Sequence, residues 1–477
     1  MEIAMKDTRK QTNIQPEMPL VRQRNYTEVV EFLDAHWSVP SEEQVVRIKK
    51  LDAALGNQSK KIKTVAVTGT NGKSITIHLA SKLLKEENLK VGAMYAPHIL
   101  TYNERLAINE ETISNKEFTE IANTVINAAE TMNLNCNSFE IITMMAIVYF
   151  ANSSVDVALF ETGSNRYMEL MNICSPVIVA VTRAIDEKIA DKTVVPSELI
   201  KTMLSIVREG THVISADQSK LNLQLMLDIT ESQKGIWTMP IRKLAQLSYP
   251  YEQLHGRCAA LAERIADIFV NTFANRNAIV VTDTLLTKLK GQRGRPTLEA
   301  KRQAELNPRK TVDQFWKETV NTLPGRFQLL DKEKPSLLLD NASNLDAITN
   351  LLLGVRLLHY QRPLKGLTVI LGCNNKDISI DGLTRALRYF FKKTSGQVVL
   401  CPVTNMPSDC STASLDIEKI ANDLKGMKLK ARACSSFIEA FDIAQKSVDE
   451  RNGLVVITGS SAIIHEYWNY KGIKKIV

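Results

Sequence analysis

The run Val65-Ala66-Val67-Thr68-Gly69-Thr70-Asn71-Gly72-Lys73-Ser74 constrains this chain more than any other feature: an apolar, strand-forming stretch passes straight into a glycine-rich turn that ends on a lysine and a hydroxyl residue. Glycines permit a tight path whose amides can face phosphate oxygens. Lys73 can then reach the outer phosphates, and Ser74 stands where a hydroxyl touches a nucleotide-bound magnesium ion. The turn lacks the full spacer of the commonest phosphate-loop pattern, so an ordinary strand-to-helix turn is the competing reading. Either way, strand, turn and helix in that order call for an α/β architecture.

The 477 residues exceed the size at which one core keeps growing, and a composition 44% apolar and 23% charged is that of a globular chain of two or three domains. No segment approaches the ~18 consecutive apolar residues of a membrane span, and the start Met1-Glu2-Ile3-Ala4-Met5-Lys6-Asp7 lacks the apolar core of a secretion signal. A cytoplasmic setting without membrane partners is expected. The seven cysteines form no close metal-type pair and are odd in number, so reduced thiols are the default.

A net charge of +8 raises the question of nucleic acid, and its distribution answers it. Between Lys288 and Lys310 eight basic residues face only Glu299 and Glu305, a local net of +6. A solvated loop is the plain reading and an anionic substrate or partner the functional one. Nucleic acid is disfavoured, because neither a recognisable binding module nor interleaved aromatics accompany the charge.

Coarse patterning gives two α/β units. Residues 26–58 read as helices before the first core strand, 76–87 as the helix behind the loop, and 90–95 as the next strand. Residues 117–131 and 138–151 read as helices, and 155–161 and 177–182 as strands of a parallel sheet buried on both faces, the first unit continuing through 211–215. A helix is expected over 257–273. Strand and helix alternate again over 336–339, 347–358, 367–372, 383–391 and 397–402, with a last strand at 454–459. The expected division is 1–320 for the nucleotide-binding part, with the basic insertion near 288–310, and 321–477 for the C-terminal part.

The segment Gly69-Thr70-Asn71-Gly72-Lys73 resembles the nucleotide loop of the Mur ligase superfamily, and 96–105 (Ala-Pro-His-Ile-Leu-Thr-Tyr-Asn-Glu-Arg) narrows the resemblance to its folylpolyglutamate synthase/dihydrofolate synthase branch. Phe139-Glu140-Ile141-Ile142-Thr143, Asp156-Val157-Ala158-Leu159-Phe160-Glu161 and Leu323-Pro324-Gly325-Arg326 follow in the family's order, before Asp340-Asn341-Ala342-Ser343-Asn344. The resemblance implies a P-loop ATPase domain with a parallel sheet, followed by a Rossmann-like C-terminal α/β domain. It further implies an ATP- and magnesium-dependent reaction in which a substrate carboxylate becomes an acyl phosphate and is attacked by an amine. Folate and glutamate are the substrates of that family.

Carried over position by position, the resemblance implies nucleotide contacts from Gly69, Thr70, Asn71, Gly72, Lys73, Ser74, Arg326, Asp340 and Asn344, and catalytic roles for Lys73, Glu161 and His98. Magnesium ligands would be Ser74, Glu161 and Glu187, the last standing where relatives have histidine. Strand-end placement independently favours Glu161, and a planar donor array suits Arg326 to phosphate. For His98 a backbone-satisfied loop histidine is an equal alternative, for Asp340 a structural acid, and for Arg326 an interdomain salt bridge. Lys376-Asp377 also match a family segment, with a surface charge pair as the alternative.

Several positions depart from the family. Ala96 replaces a serine that contributes to magnesium binding, and Met203 stands in the motif of a carbamylated lysine, whose charge it cannot carry. Cys258, Ala259 and Ala262 replace histidine, glutamine and asparagine, removing hydrogen-bonding capacity. Ser343 replaces another histidine. The chain therefore reads as a ligase of this type, with a noncatalytic nucleotide-sensing or interaction protein as the alternative.

Overall fold

The computed structural model describes residues 22–163, 166–189, 192–274, 312–319, 323–372, 378–403 and 415–474, with backbone only at 166, 187–189, 192 and 193. The basic segment 288–310, Lys376-Asp377, the expected boundary at 320 and the side chain of Glu187 lie outside the described part. Among the described residues no helix is long and apolar enough to cross a membrane. Cys136, Cys174, Cys258, Cys401 and Cys434 are free thiols.

The first sheet takes β1 (Thr64–Thr68), β2 (Val91–Met94), β3 (Leu106–Ile108), β4 (Glu111–Thr112), β5 (Val157–Glu161) and β6 (Ile178–Val181). After a small ladder of β7 (Glu187–Ile189) and β8 (Lys192–Val194), β9 (His212–Ser215) and β10 (Ile236–Trp237) complete it in the order β10-β9-β6-β1-β5-β2-β3-β4. Every residue of β1, β5 and β6 is buried, as parallel strands covered on both faces require. The two-residue alternation of β1 sorts its side chains. Val65 and Val67 pack with the helices Lys73–Glu86 and Tyr251–Ile268, and Ala66 with the opposite layer that includes the helices Asn115–Thr131 and Ser138–Asn152.

The second sheet runs β11-β12-β16-β13-β14-β15, from β11 (Gln328–Leu330), β12 (Ser336–Asp340), β13 (Leu367–Leu371), β14 (Gln397–Leu400), β15 (Ala431–Ala433) and β16 (Leu454–Thr458). Leu338, Val369 and Val456 point to the layer of the helices Leu345–Gln361 and Ile380–Phe391, while Leu337, Ile370 and Ile457 point to that of Phe437–Lys446 and Ser461–Tyr470. The fold is thus the expected mixed α/β pair of parallel-rich sheets.

Two local expectations need correction. Neither sheet is wholly parallel: β3 and β4 add an antiparallel edge to the first, and β11 to the second. The β3–β4 turn places Asn109 and Glu110 at φ 50° and 72°, the sign that a tight hairpin requires at both central positions. The helix expected from residue 257 begins at Tyr251 and runs through Gly256. Glycine suits the close passage there, where a Cβ would sit tightly, 3.0 Å from Leu244 Cβ and 3.2 Å from the Ala245 carbonyl oxygen.

Candidate nucleotide site

The carboxyl end of β1 enters the glycine turn against the loop that follows β6. Gly69 sits at φ 127°, and a Cβ there would fall 2.1 Å from Thr182 Oγ1 and 2.9 Å from the backbone of Arg183. Gly72, at φ 88°, passes close to Cys258 Sγ. The Thr70 amide donates to the Arg183 carbonyl at 2.8 Å, pinning the turn. Lys73 opens the helix Lys73–Glu86, and its ammonium arches back to the carbonyls of Gly69 (2.8 Å) and Thr70 (3.1 Å). A helix start beneath a glycine turn, with a lysine over it, is an arrangement that can hold phosphate.

This turn lines a cavity of about 640 Å³ between the two sheets, shared with Glu161, Arg326, Asp340 and Asn344. The expected phosphate-loop positions from Thr70 to Ser74 all line it as well. Polar side chains bridge the cleft. Asn71 and Asn344 exchange amide hydrogen bonds of 3.1 and 2.9 Å, and Asn71 also donates to Asp346 at 2.9 Å. Arg183 meets Asp346 at 2.7 Å. Arg326 donates to Ser74 Oγ at 3.2 Å and to the Pro97 carbonyl at 3.4 Å, so it crosses to the phosphate loop from the second domain.

The acids have different surroundings. Glu161, at the end of β5, is only 4% exposed and accepts the Ala96 amide at 3.2 Å. Asp340 accepts the amides of Phe327 (2.7 Å) and Ala342 (2.9 Å), fixing the chain on both sides of β12. Burial raises its carboxyl to about 6, against the pull of those two amides and of Arg326. Asn344 caps the helix Leu345–Gln361 through the Ala347 amide, so it is a structural cap as well as part of the cleft.

Other expected positions stand elsewhere. His98 is outside the cavity lining: its Nδ1 accepts from Arg105 Nε at 2.8 Å and its ring lies 4.3 Å from that of Tyr102. Burial, with Arg105 and His465 nearby, holds the imidazole well below its usual range, so it is neutral. Met203 is fully buried in the apolar core rather than facing the cavity, and Ala259 and Ala262 are likewise core residues. Cys258 does line the cavity. Burial raises its thiol, and a hydrogen bond to Thr76 opposes that rise only in part.

The lining also includes charged and titratable residues that the sequence does not single out, among them Arg183, Asp217, His255 and Asp346. Burial lowers His255 to about 4, making it a neutral wall of the cavity. Asp217 follows β9, and the strand-end rule that singles out Glu161 would have found it. Among the described residues no group of three or more His, Cys, Asp or Glu side chains is arranged to hold a metal by itself. Glu161 and Ser74 do supply hard oxygens to one cavity, the partial set that magnesium takes when phosphates and water complete its shell.

No protein-family model matches the chain. It is 27% identical over 320 residues to a dihydrofolate synthase/folylpolyglutamate synthase of Bacillus subtilis, covering 64% of this chain and 70% of the relative. With a folylpolyglutamate synthase of Lacticaseibacillus casei it shares 25% identity over 398 residues, 80% of this chain and 86% of the other. The structure superposes with TM-score 0.71 on Mycobacterium tuberculosis folylpolyglutamate synthase complexed with ADP and AMPPCP, at 18% identity over 94% of this chain and 98% of that one. It matches the bifunctional folylpolyglutamate synthase/dihydrofolate synthase of Yersinia pestis equally well by TM-score, 0.71, at 20% identity over 96% and 100%. The chain is thus similar in sequence to folylpolyglutamate and dihydrofolate synthases and shares the Mur-ligase-like fold of their solved structures.

Proposed function

We propose that this chain is an ATP-dependent ligase that joins a carboxylate to an amine, with a folate-type acid and glutamate as its substrates and the cytoplasm as its setting. The observation that carries the reading is the phosphate turn and Arg326 meeting at Ser74 from opposite domains. A phosphoryl group between them would face a helix start, an ammonium and a guanidinium, the donors that stabilise negative charge during its transfer. The relatives support the substrate class by name, and a structure of the Yersinia pestis protein with AMPPNP and manganese supports nucleotide and divalent metal.

Each residue then has a task. Lys73 releases the Gly69 and Thr70 carbonyls to meet the outer phosphates, and the Asn71 side chain keeps the turn against the second domain. Glu161 and Ser74 would hold magnesium, whose charge offsets that of the phosphates. Arg326 orients the transferring group, while the flanking domains exclude water from the acyl phosphate. His98, neutral and taken by Arg105, positions the 96–105 loop instead of exchanging protons.

A second reading, a noncatalytic nucleotide-binding protein, is favoured by Ala96, Met203 and the Cys258–Ala262 stretch, where polar groups of the family's site are missing. Incubating the protein with ATP, magnesium, glutamate and a panel of folates, then weighing the products, separates the two. A mass gain of one glutamyl unit coupled to ADP formation supports the ligase; nucleotide binding with no amide from any acceptor supports the alternative.

A further inference from the structure

Asp217 is a carboxylate 3% exposed at the carboxyl end of the first sheet, well separated in sequence from the phosphate turn. Burying such a group is unfavourable unless donors surround it. Here three do: the Ala184 amide at 2.9 Å and Asn222 Nδ2 at 3.1 Å on one oxygen, and the Ser219 amide at 2.8 Å on the other. Asn222 Nδ2 also donates to the Ala184 carbonyl at 3.0 Å. Both backbone polar groups of Ala184 are therefore gripped, one by Asp217 and one by Asn222.

Ala184 lies between the two residues that hold the phosphate turn. Its predecessor Arg183 accepts the Thr70 amide and sends its guanidinium across the cleft to Asp346. Its successor Ile185 donates to Thr70 Oγ1 at 3.4 Å. We propose that Asp217, with Asn222, is a positioning residue for the nucleotide site, fixing the 182–185 loop as the template on which the phosphate turn is shaped. It acts through that loop and touches no reacting atom. A carboxylate suits the task because it only accepts, and three N–H groups converge on it. The inference rests on the nucleotide-dependent reading above and adds a residue set to it.

The test uses the full-length chain, with MgATP titrated into the parent, Asp217→Ala, Asp217→Asn and Asn222→Ala, and thermal melting to verify folding. Asp217→Ala should weaken MgATP at least tenfold and raise the ATP KM in parallel, while the KM of the carboxylate substrate stays within twofold. Asp217→Asn keeps one accepting oxygen for Ala184 and should recover to within about fivefold of the parent. Asn222→Ala should cost about threefold. A folded Asp217→Ala with MgATP affinity within twofold of the parent overturns the proposal. If that variant does not fold, unchanged affinity in Asn222→Ala overturns it instead. Equal loss of ATP and carboxylate affinities would also overturn it, indicating general loosening. A parent that binds no MgATP sinks the ligase reading and this inference together, whereas a binding parent with unaffected variants sinks this inference alone.

Discussion

Asn71, in the phosphate turn, donates a 2.9 Å hydrogen bond to Asp346, which lies 275 residues further along the chain in the first turn of the helix Leu345–Gln361. The same carboxylate receives Arg183 at 2.7 Å, so two loops of the first domain converge on one acid of the second. The cleft is spanned here by short polar contacts.

Replacing Asp346 with alanine removes both contacts. Arg183 is half exposed, so solvent screening discounts its share, and the combined loss of cleft closure should be about 1 kcal/mol. Small-angle scattering of the nucleotide-free variant should show a larger radius of gyration than the parent. An unchanged scattering profile would mean that the domains are held by other contacts.

Gly69→Ala should be severe. The new methyl would meet Thr182 Oγ1 at 2.1 Å and the Arg183 backbone at 2.9 Å, at a φ of 127° that disfavours side chains. We expect a loss of about 2–3 kcal/mol in denaturant-measured stability, together with nucleotide affinity. Parent-like stability would show that the turn has room to relax.

These two cases mark what was legible in the sequence. Val65, Ala66, Val67 and the glycines that follow encode strand and turn locally, and Glu161 announces itself at a strand end. The pairing of Asn71 with Asp346 depends on how two domains meet, which no local pattern records. The helix expected from residue 257 already runs through Gly256, where the close passage of Leu244 and Ala245 is a tertiary feature. His98 sat in a well-matched motif, yet the buried Arg105 seven residues later takes its ring nitrogen.

Asp340 gives a pH signature. Its folded carboxyl, raised from 3.8 to about 6 chiefly by burial, binds a proton more tightly than in the unfolded chain. Stability from this group is therefore fullest below about pH 4, falls as pH rises through 6, and is level above; the drop is on the order of 2–3 kcal/mol. Asp340→Asn should lack that slope in urea titrations from pH 4 to 7, although losing one accepting oxygen lowers its overall stability. A variant that keeps the parent's slope would assign the effect to another group.

The proposed metal contacts separate by titration. Glu161→Gln keeps size but removes charge, so it should shift the magnesium dependence of ATP cleavage upward by about tenfold, an interaction loss near 1.4 kcal/mol. Ser74→Ala should produce a smaller shift in the same direction. If both variants follow the parent's magnesium curve, the ion is held elsewhere.

The ligase chemistry itself is best tested with a folate-type acid whose reacting carboxylate carries oxygen-18, incubated with ATP, magnesium and glutamate. If that carboxylate is phosphorylated and then attacked by the amine, one labelled oxygen leaves with inorganic phosphate while the other stays in the amide. Mass analysis should find one oxygen-18 per phosphate released by the parent, and Lys73→Ala should release almost none. Phosphate free of label, formed by the parent at the same rate with or without the acid, would contradict an acyl phosphate and leave a nucleotide-binding protein without ligase activity.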